Sequence, residues 1–258
     1  MTARAMNAID VIAHCNAWSG RHPGEKVLLG GGLLLLSLIL PPWPGAVLII
    51  AAVSAAALLG ARIPLFAFLR VLALPLAFLL SGGAVLALSL SLDPGGGGPA
   101  VRITSESLQN AAAVSLRALA ATSATMLIVL TTPLPALIHL ARRLRLPEPL
   151  IELAFLIYRF TGLTIALAAA GRRAQRNRLG DRDFKTSLRS TGVLAAGLLP
   201  RTLARAERLQ AGLAARGYDG SLRTLAPDWR MSCLFVTATL VLAAGIVLAT
   251  CVWHGLRP

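Results

Sequence analysis

The chain has 258 residues, of which 56% are hydrophobic and 14% charged, against about 45–50% and about 25% in an ordinary soluble domain. That balance excludes a soluble globular protein, and the formal charge of +14 has no basic-aromatic interleaving of the kind that stacks bases, which excludes nucleic acid. Cys15, Cys233 and Cys251 have no paired spacing, which excludes a disulfide framework or a CxxC site.

Residues 1–26 read as an amphipathic lead-in whose Met6, Ile9, Val11, Ile12 and Trp18 would lie in the membrane interface. Their mixed composition does not match a cleavable signal. His22-Pro23-Gly24 punctuates the chain, with Glu25 and Lys26 at the boundary of the first apolar run. Four stretches carry no Asp, Glu, Lys or Arg: 35 residues between Lys26 and Arg62, 22 from Val71 to Leu92, 24 from Ala118 to Ala141, and 26 from Met231 to Leu256. A spanning helix needs roughly 20 apolar residues. The last three runs suit one helix each. The first is long enough for two, and Pro41-Pro42-Trp43-Pro44-Gly45 breaks it, because prolines lack the donor a helix interior needs. The predicted spans are 26–40, 46–62, 66–92, 113–132 and 231–253. Asp93-Pro94 and Gly95 to Gly98 predict a flexible loop after the third.

Basic residues collect in cytoplasmic loops, and residues 142–230 hold 17 of the chain's 25 Lys and Arg. This segment is therefore expected in the cytoplasm. The apolar stretch 149–171 would put it on the wrong side if it crossed. It also carries Glu152 and Arg159, which are costly at bilayer centre. It is expected to lie along the cytoplasmic surface, which leaves five spans, with six as the alternative. The predicted fold is thus an all-α, polytopic helical membrane protein: four spans in 1–141, a basic cytoplasmic segment in 142–230, and a last span with a short external tail in 231–258.

Two helix endings stand out in the basic segment: Ala174-Gln175-Arg176-Asn177-Arg178-Leu179-Gly180 and Ala214-Ala215-Arg216-Gly217-Tyr218-Asp219-Gly220. Each has Arg in a last helical turn, which suits the negative end of the dipole. Each has Gly beyond it, which can adopt the left-handed conformation that ends a helix. Before the second ending, Leu199, Leu203, Ala206, Leu209 and Leu213 share one helical face, while Arg201, Arg205, Arg208 and Arg216 share the opposite one. Packing against protein or lipid is expected on the first face and a row of guanidiniums on the second.

These endings resemble the two coupling-helix signatures of the transmembrane T component of energy-coupling factor (ECF) transporters, and Ala215-Arg216-Gly217-Tyr218-Asp219-Gly220 is similar to the cobalt-type member, CbiQ. His22-Pro23-Gly24-Glu25-Lys26, Phe68-Leu69-Arg70 with Pro75, Thr131-Thr132-Pro133, Leu146-Pro147 and Tyr158-Arg159-Phe160 agree with the same family, over about residues 10–250. Leu179 between Arg178 and Gly180 departs from the commonest Ala-Arg-Gly form. Arg178 is taken as the coupling arginine there, with Arg176 as the alternative.

The resemblance implies a non-catalytic, multi-pass subunit of the cell (inner) membrane. Its partners would be cytoplasmic ATPase subunits, an integral substrate-binding S component, and lipid. Ala174, Arg178, Gly180, Ala215, Arg216 and Gly217 would contact the ATPases; Arg201, Arg205 and Arg208 would form the basic shaft of the coupling helix. The substrate would be a divalent metal ion, cobalt or alternatively nickel, in the service of cobalamin biosynthesis. No cofactor, resident metal or nucleic acid is implied. The residues themselves agree: His14 beside Cys15, His139, and His254 near Cys251 are too isolated for a metal site of three or four ligands. The competing readings are a membrane-anchored electrostatic scaffold and an intramembrane enzyme. The second has no acid, base or nucleophile cluster within its spans.

Overall fold

In the computed structural model, which describes residues 10–91, 100–102, 104–217, 229 and 231–255, the first long helix begins where the sequence is punctuated. Helix α1 (Pro23–Ile39) has Pro at its first position and His22 at its N-cap, and Gly24 N–H donates to His22 Nδ1 at 3.0 Å. Proline costs nothing there, since that N–H has no helical partner anyway. The helix stops where Leu40 and Pro41 turn extended. A kinked segment (Pro42–Ala46), in which Trp43 is extended with φ −121° and ψ 123°, leads into α2 (Val47–Ala55), which ends in a π turn (Ala56–Gly60). The chain therefore breaks where its prolines predict.

Helix α3 (Leu65–Ala87) is followed by a short antiparallel pair, β1 (Ser89–Ser91) with β2 (Ala100–Arg102), in which Leu90 faces Val101. This two-stranded ribbon is the one departure from helix that the apolar run 66–92 did not suggest. The Asp93–Gly98 loop lies outside the described residues. Helix α4 (Ser105–Thr131) starts well before residue 113 because its polar first turn is capped. Thr104 and Ser107 form a reciprocal capping box, with Thr104 N–H donating to Ser107 Oγ at 3.0 Å. Then come α5 (Leu134–Arg143), α6 (Glu148–Asn177), α7 (Phe184–Ala214) and α8 (Cys233–Gly255).

The described residues divide into two compact units, residues 10–133 with 229–255 and residues 134–217. In the first, Leu29, Leu33, Ile49, Val53, Ala120, Ala124, Leu127 and Leu130 form a shared core from α1, α2 and α4. Gly30 lets α1 approach α4 closely: a β-carbon there would sit 2.3 Å from Ile128 Cγ1, the small-residue contact typical of membrane helices. Arg117 Nη2, within α4, donates to the Leu40 carbonyl at 3.0 Å, one of the acceptors left free where α1 ends. Trp18 was expected at the membrane interface, but it is buried and meets Phe235 edge to face at 5.3 Å. Met6 and Ile9 lie outside the described residues. Much of α3 and α8 shows apolar side chains outward, among them Leu74, Phe78, Leu234 and Val241, as lipid-facing helices do.

Among the described residues, five helices are long and apolar enough to cross a membrane: Pro42–Gly60, Leu65–Ala87, Ser105–Thr131, Glu148–Asn177 and Cys233–Trp253. The protein is therefore an all-α, polytopic membrane protein. The set differs from the predicted spans in one member. Helix α1 has 17 residues, about 26 Å at 1.5 Å per residue, because Pro41 stops it early. Helix α6 runs unbroken for 30 residues and qualifies by length and composition despite Glu152 and Arg159.

Two charged neighbours, Glu25 and Lys26, are almost wholly buried at the start of α1. Lys26 Nζ donates to the Thr131 carbonyl at 3.0 Å, and Glu25 Oε1 accepts from the Ser232 backbone N–H. Asn16 Nδ2 joins them, donating to the Leu130 carbonyl at 3.2 Å. Removing Lys26 strands a buried carbonyl, at a cost of about 1–3 kcal/mol. Lys26→Met is expected to lower the melting temperature of the detergent-purified protein by several degrees, whereas Lys185→Met, at an exposed site, leaves it within error. Equal melting curves would show that the buried lysine is dispensable.

Candidate functional site

The second unit is built on a hairpin of two long helices, α6 and α7, joined by residues 178–183. Contacts near the turn pair them antiparallel: Gln175 Nε2 donates to the Ser190 carbonyl at 2.7 Å, and Leu194 packs on Gly171. The turn itself is held by Asp181. Its carboxylate lies 2.9 Å from Arg176 Nε and 3.8 Å from Arg172 Nη2, and Ser187 Oγ donates to it at 3.3 Å. The hydrogen bond from Arg176 is the main reason that the Asp181 carboxyl is held below its ordinary range. That staple is therefore present above the ordinary carboxylate pKa and is lost as pH falls through the depressed one.

The end of α6 is a Schellman motif. Gly180 N–H donates to the Gln175 carbonyl at 2.8 Å, and Leu179 N–H to the Arg176 carbonyl at 3.0 Å. The left-handed residue is Leu179, with φ 57°, which corrects the expectation that Gly180 would take that conformation. Gly180 serves space instead: a β-carbon there would lie 2.9 Å from the Gln175 carbonyl oxygen and 3.0 Å from Ser190 Oγ. The end of α7 has the same geometry at its inner bond. Gly217 N–H donates to the Ala214 carbonyl at 3.1 Å, and Gly217 itself is left-handed, with φ 76°. A β-carbon there would meet nothing within 4 Å, so that glycine serves conformation. Tyr218, Asp219 and Gly220 lie outside the described residues.

Arg178 and Arg216 therefore occupy equivalent places, each the residue just before a left-handed cap. The alanines are not equivalent: Ala215 directly precedes Arg216, whereas Ala174 lies a full turn before Arg178. The arginines also differ in what holds them. Arg176 is tied to Asp181, whereas Arg178 and Arg216 are exposed and have no side-chain partner among the described residues. Because α6 and α7 are antiparallel, the two caps are at opposite ends of α7, whose 31 residues span about 46 Å at 1.5 Å each.

The two-faced reading of α7 holds only in part. Ala206, Leu209 and Leu213 are half-buried, but Leu199 and Leu203 are exposed. Arg205 and Arg208 do not simply face away from the packing side. They line a groove with Leu209 and with Arg159, Phe160 and Leu163 of α6. Arg201, one turn earlier on the same face, is not part of that groove. Reading the sequence for single-helix periodicity missed two features: the Asp181 staple, signalled only by the four-residue spacing of Arg172 and Arg176, and the convergence of Arg159 on α7. His139, in α5, has its pKa lowered by burial and then by Arg142 and Arg143.

Comparison with known proteins fits this arrangement. The profile of a family described as cobalt transport protein, CbiQ, matches residues 16–227. The chain is 42% identical over 242 residues to the cobalt transport protein CbiQ of Rhodobacter capsulatus, covering 94% of this chain and 97% of that one. It is 33% identical to the CbiQ of Salmonella typhimurium, over 83% of this chain and 98% of the relative. A third relative, from Methanocorpusculum labreanum, carries the name of a fused cobalt transport protein, CbiMQ; it is 33% identical over 70% of this chain, which spans 31% of it. A multi-pass helical protein that aligns nearly end to end with such relatives belongs to the CbiQ family of cobalt transport proteins.

Proposed function

We propose that this chain is the energy-coupling (T) subunit of an ATP-driven cobalt importer, and that Arg178 and Arg216 are its contacts with two cytoplasmic ATPase subunits. The observation that carries this reading is the repeated cap. Two helix ends, about 46 Å apart along α7, place an exposed arginine, without a side-chain partner among the described residues, at the same point before a left-handed residue. A guanidinium there suits bidentate pairing with carboxylates in a partner groove. Two such points at the ends of one long helix suit two copies of a partner.

The rest of the role follows from this. The subunit itself hydrolyses no ATP. ATP-driven motion of the two partners moves the hairpin ends, and the apolar outward faces of α3 and α8 are open to a second membrane subunit that captures the ion. The fused cobalt transport relative, of which this chain spans 31%, supports a further transport component close at hand. The basic segment lies in the cytoplasm and the C-terminus outside, supported by the 17 Lys and Arg in 142–230 against Arg257 alone after the last helix.

Two measurements test this. In a variant with Cys15, Cys233 and Cys251 replaced by Ser, Arg257→Cys should react with an impermeant thiol reagent on intact cells and Arg189→Cys should not; the reverse pattern would invert the topology. In the assembled complex, Arg178→Glu and Arg216→Glu should each weaken retention of the ATPase by more than about 2–5 kcal/mol, the cost of truncating one partner of a buried charge pair, because reversal adds like-charge repulsion, and cobalt uptake should fall with it. Arg176→Gln, at the residue that staples the turn, should retain the ATPase. If Arg216→Glu retains the ATPase and transports as well as Arg201→Glu, the tip contact is wrong. A uniform, small, salt-sensitive loss at all these positions would favour an electrostatic scaffold instead.

A further inference from the structure

The arginine-tip contacts proposed above do not use the groove between α6 and α7, and its composition asks for a ligand. It encloses about 250 Å³ and is lined by Arg159, Arg205, Arg208, Phe160, Leu163 and Leu209. Three guanidiniums from two helices thus border one cavity. None has an ion pair or side-chain hydrogen bond among the described residues, whereas Arg172, Arg176 and Arg182 of the same hairpin are all paired with carboxylates. The three arginines are exposed along the open side of the groove, where their like charges repel one another, and an anion bound among them offsets that repulsion.

We infer that this groove is a binding site for the phosphate-bearing headgroup of one acidic phospholipid, held by Arg159, Arg205 and Arg208. The three arginines supply forked donors that suit phosphate oxygens. Phe160, Leu163 and Leu209 supply an apolar wall, which a free inorganic ion would not use and which the glycerol and first acyl carbons of a lipid would. The cavity is also larger than one phosphate needs. The helix that contributes Arg159 is apolar enough to associate with a membrane, and an arginine on such a helix is stabilised by drawing a headgroup to it. The direct contacts between Gln175 and Ser190 and between Gly171 and Leu194 hold the hairpin near its turn. The bound headgroup bridges α6 and α7 farther along.

The test uses the full chain purified in mild detergent, with bound lipid counted by native mass spectrometry. This readout is independent of ATPase docking. The wild-type chain should keep one phosphatidylglycerol through washes that strip phosphatidylcholine. Arg159→Gln, Arg205→Gln and Arg208→Gln should each lower that retention about tenfold, as expected for losing a hydrogen bond to a charged group, while Arg201→Gln should not. Arg159→Lys, which keeps the charge but loses the fork, should fall between. Equal retention of phosphatidylglycerol and phosphatidylcholine by the wild type would overturn the proposal without any variant. So would loss of lipid from Arg201→Gln to the same degree, which would indicate a diffuse basic face. Displacement of the lipid by millimolar inorganic phosphate would reassign the groove to a free anion, and co-purification of a protein in place of lipid would reassign it to a partner's carboxylates.

Discussion

The buried pair Glu25 and Lys26 sets the geometry of the first unit. Charged side chains removed from water are tolerated only when each finds a partner, and the partners here are backbone groups far along the chain: the Thr131 carbonyl for Lys26 and the Ser232 N–H for Glu25. Those two residues flank the stretch 134–217. One helix start therefore fixes both the point where the chain leaves the first unit and the point where it returns. Asn16 adds a third link, to Leu130. With the ends of α4 and the start of α8 held at α1, the small-residue contact at Gly30 and the shared core of α1, α2 and α4 follow as close packing around a fixed anchor.

The hairpin solves a different problem. Two helices of 30 and 31 residues bury little: α6 has one fully buried residue, Ile151, and α7 has none. Their order rests on the turn and on a few points along their length. Leu179 takes a left-handed conformation that an L side chain adopts at some cost, and the Asp181 staple and the close approach at Gly180 hold it there. At the other end, Gly217 takes that conformation freely. Two different local chemistries thus produce one geometry, and in both the arginine before the left-handed residue has no side-chain partner among the described residues. The contrast with Arg176, spent on the staple, separates a structural arginine from an available one only two residues away.

Most of the fold was legible in the residues themselves. The uncharged runs marked α2, α3, α4 and α8. The prolines at 41, 42 and 44 marked the break after α1, and the two glycine-ended motifs marked the ends of α6 and α7. These are local properties: hydropathy, the missing donor of proline and the cap preference of glycine act within a few residues. The reading failed where the deciding contact was not local. Trp18 looks like an interfacial anchor until Phe235 is placed against it. Gly180 looks like the left-handed residue, but Leu179 takes that conformation, and Gly180 instead leaves room for Gln175 and Ser190.

The sequence alone determined that this is a polytopic helical membrane protein with one concentrated basic segment and two arginine-bearing helix ends, because composition, period and capping are written residue by residue. Only the tertiary structure decided which charges are used inside the protein and which are left over. Lys26 meets a carbonyl 105 positions away, Arg176 is claimed by Asp181, Arg178 and Arg216 are not claimed by any described residue, and Arg159 converges with Arg205 and Arg208 on one groove. Charge pairing depends on distances of a few ångströms between side chains from different helices, and those distances exist only once the helices are packed.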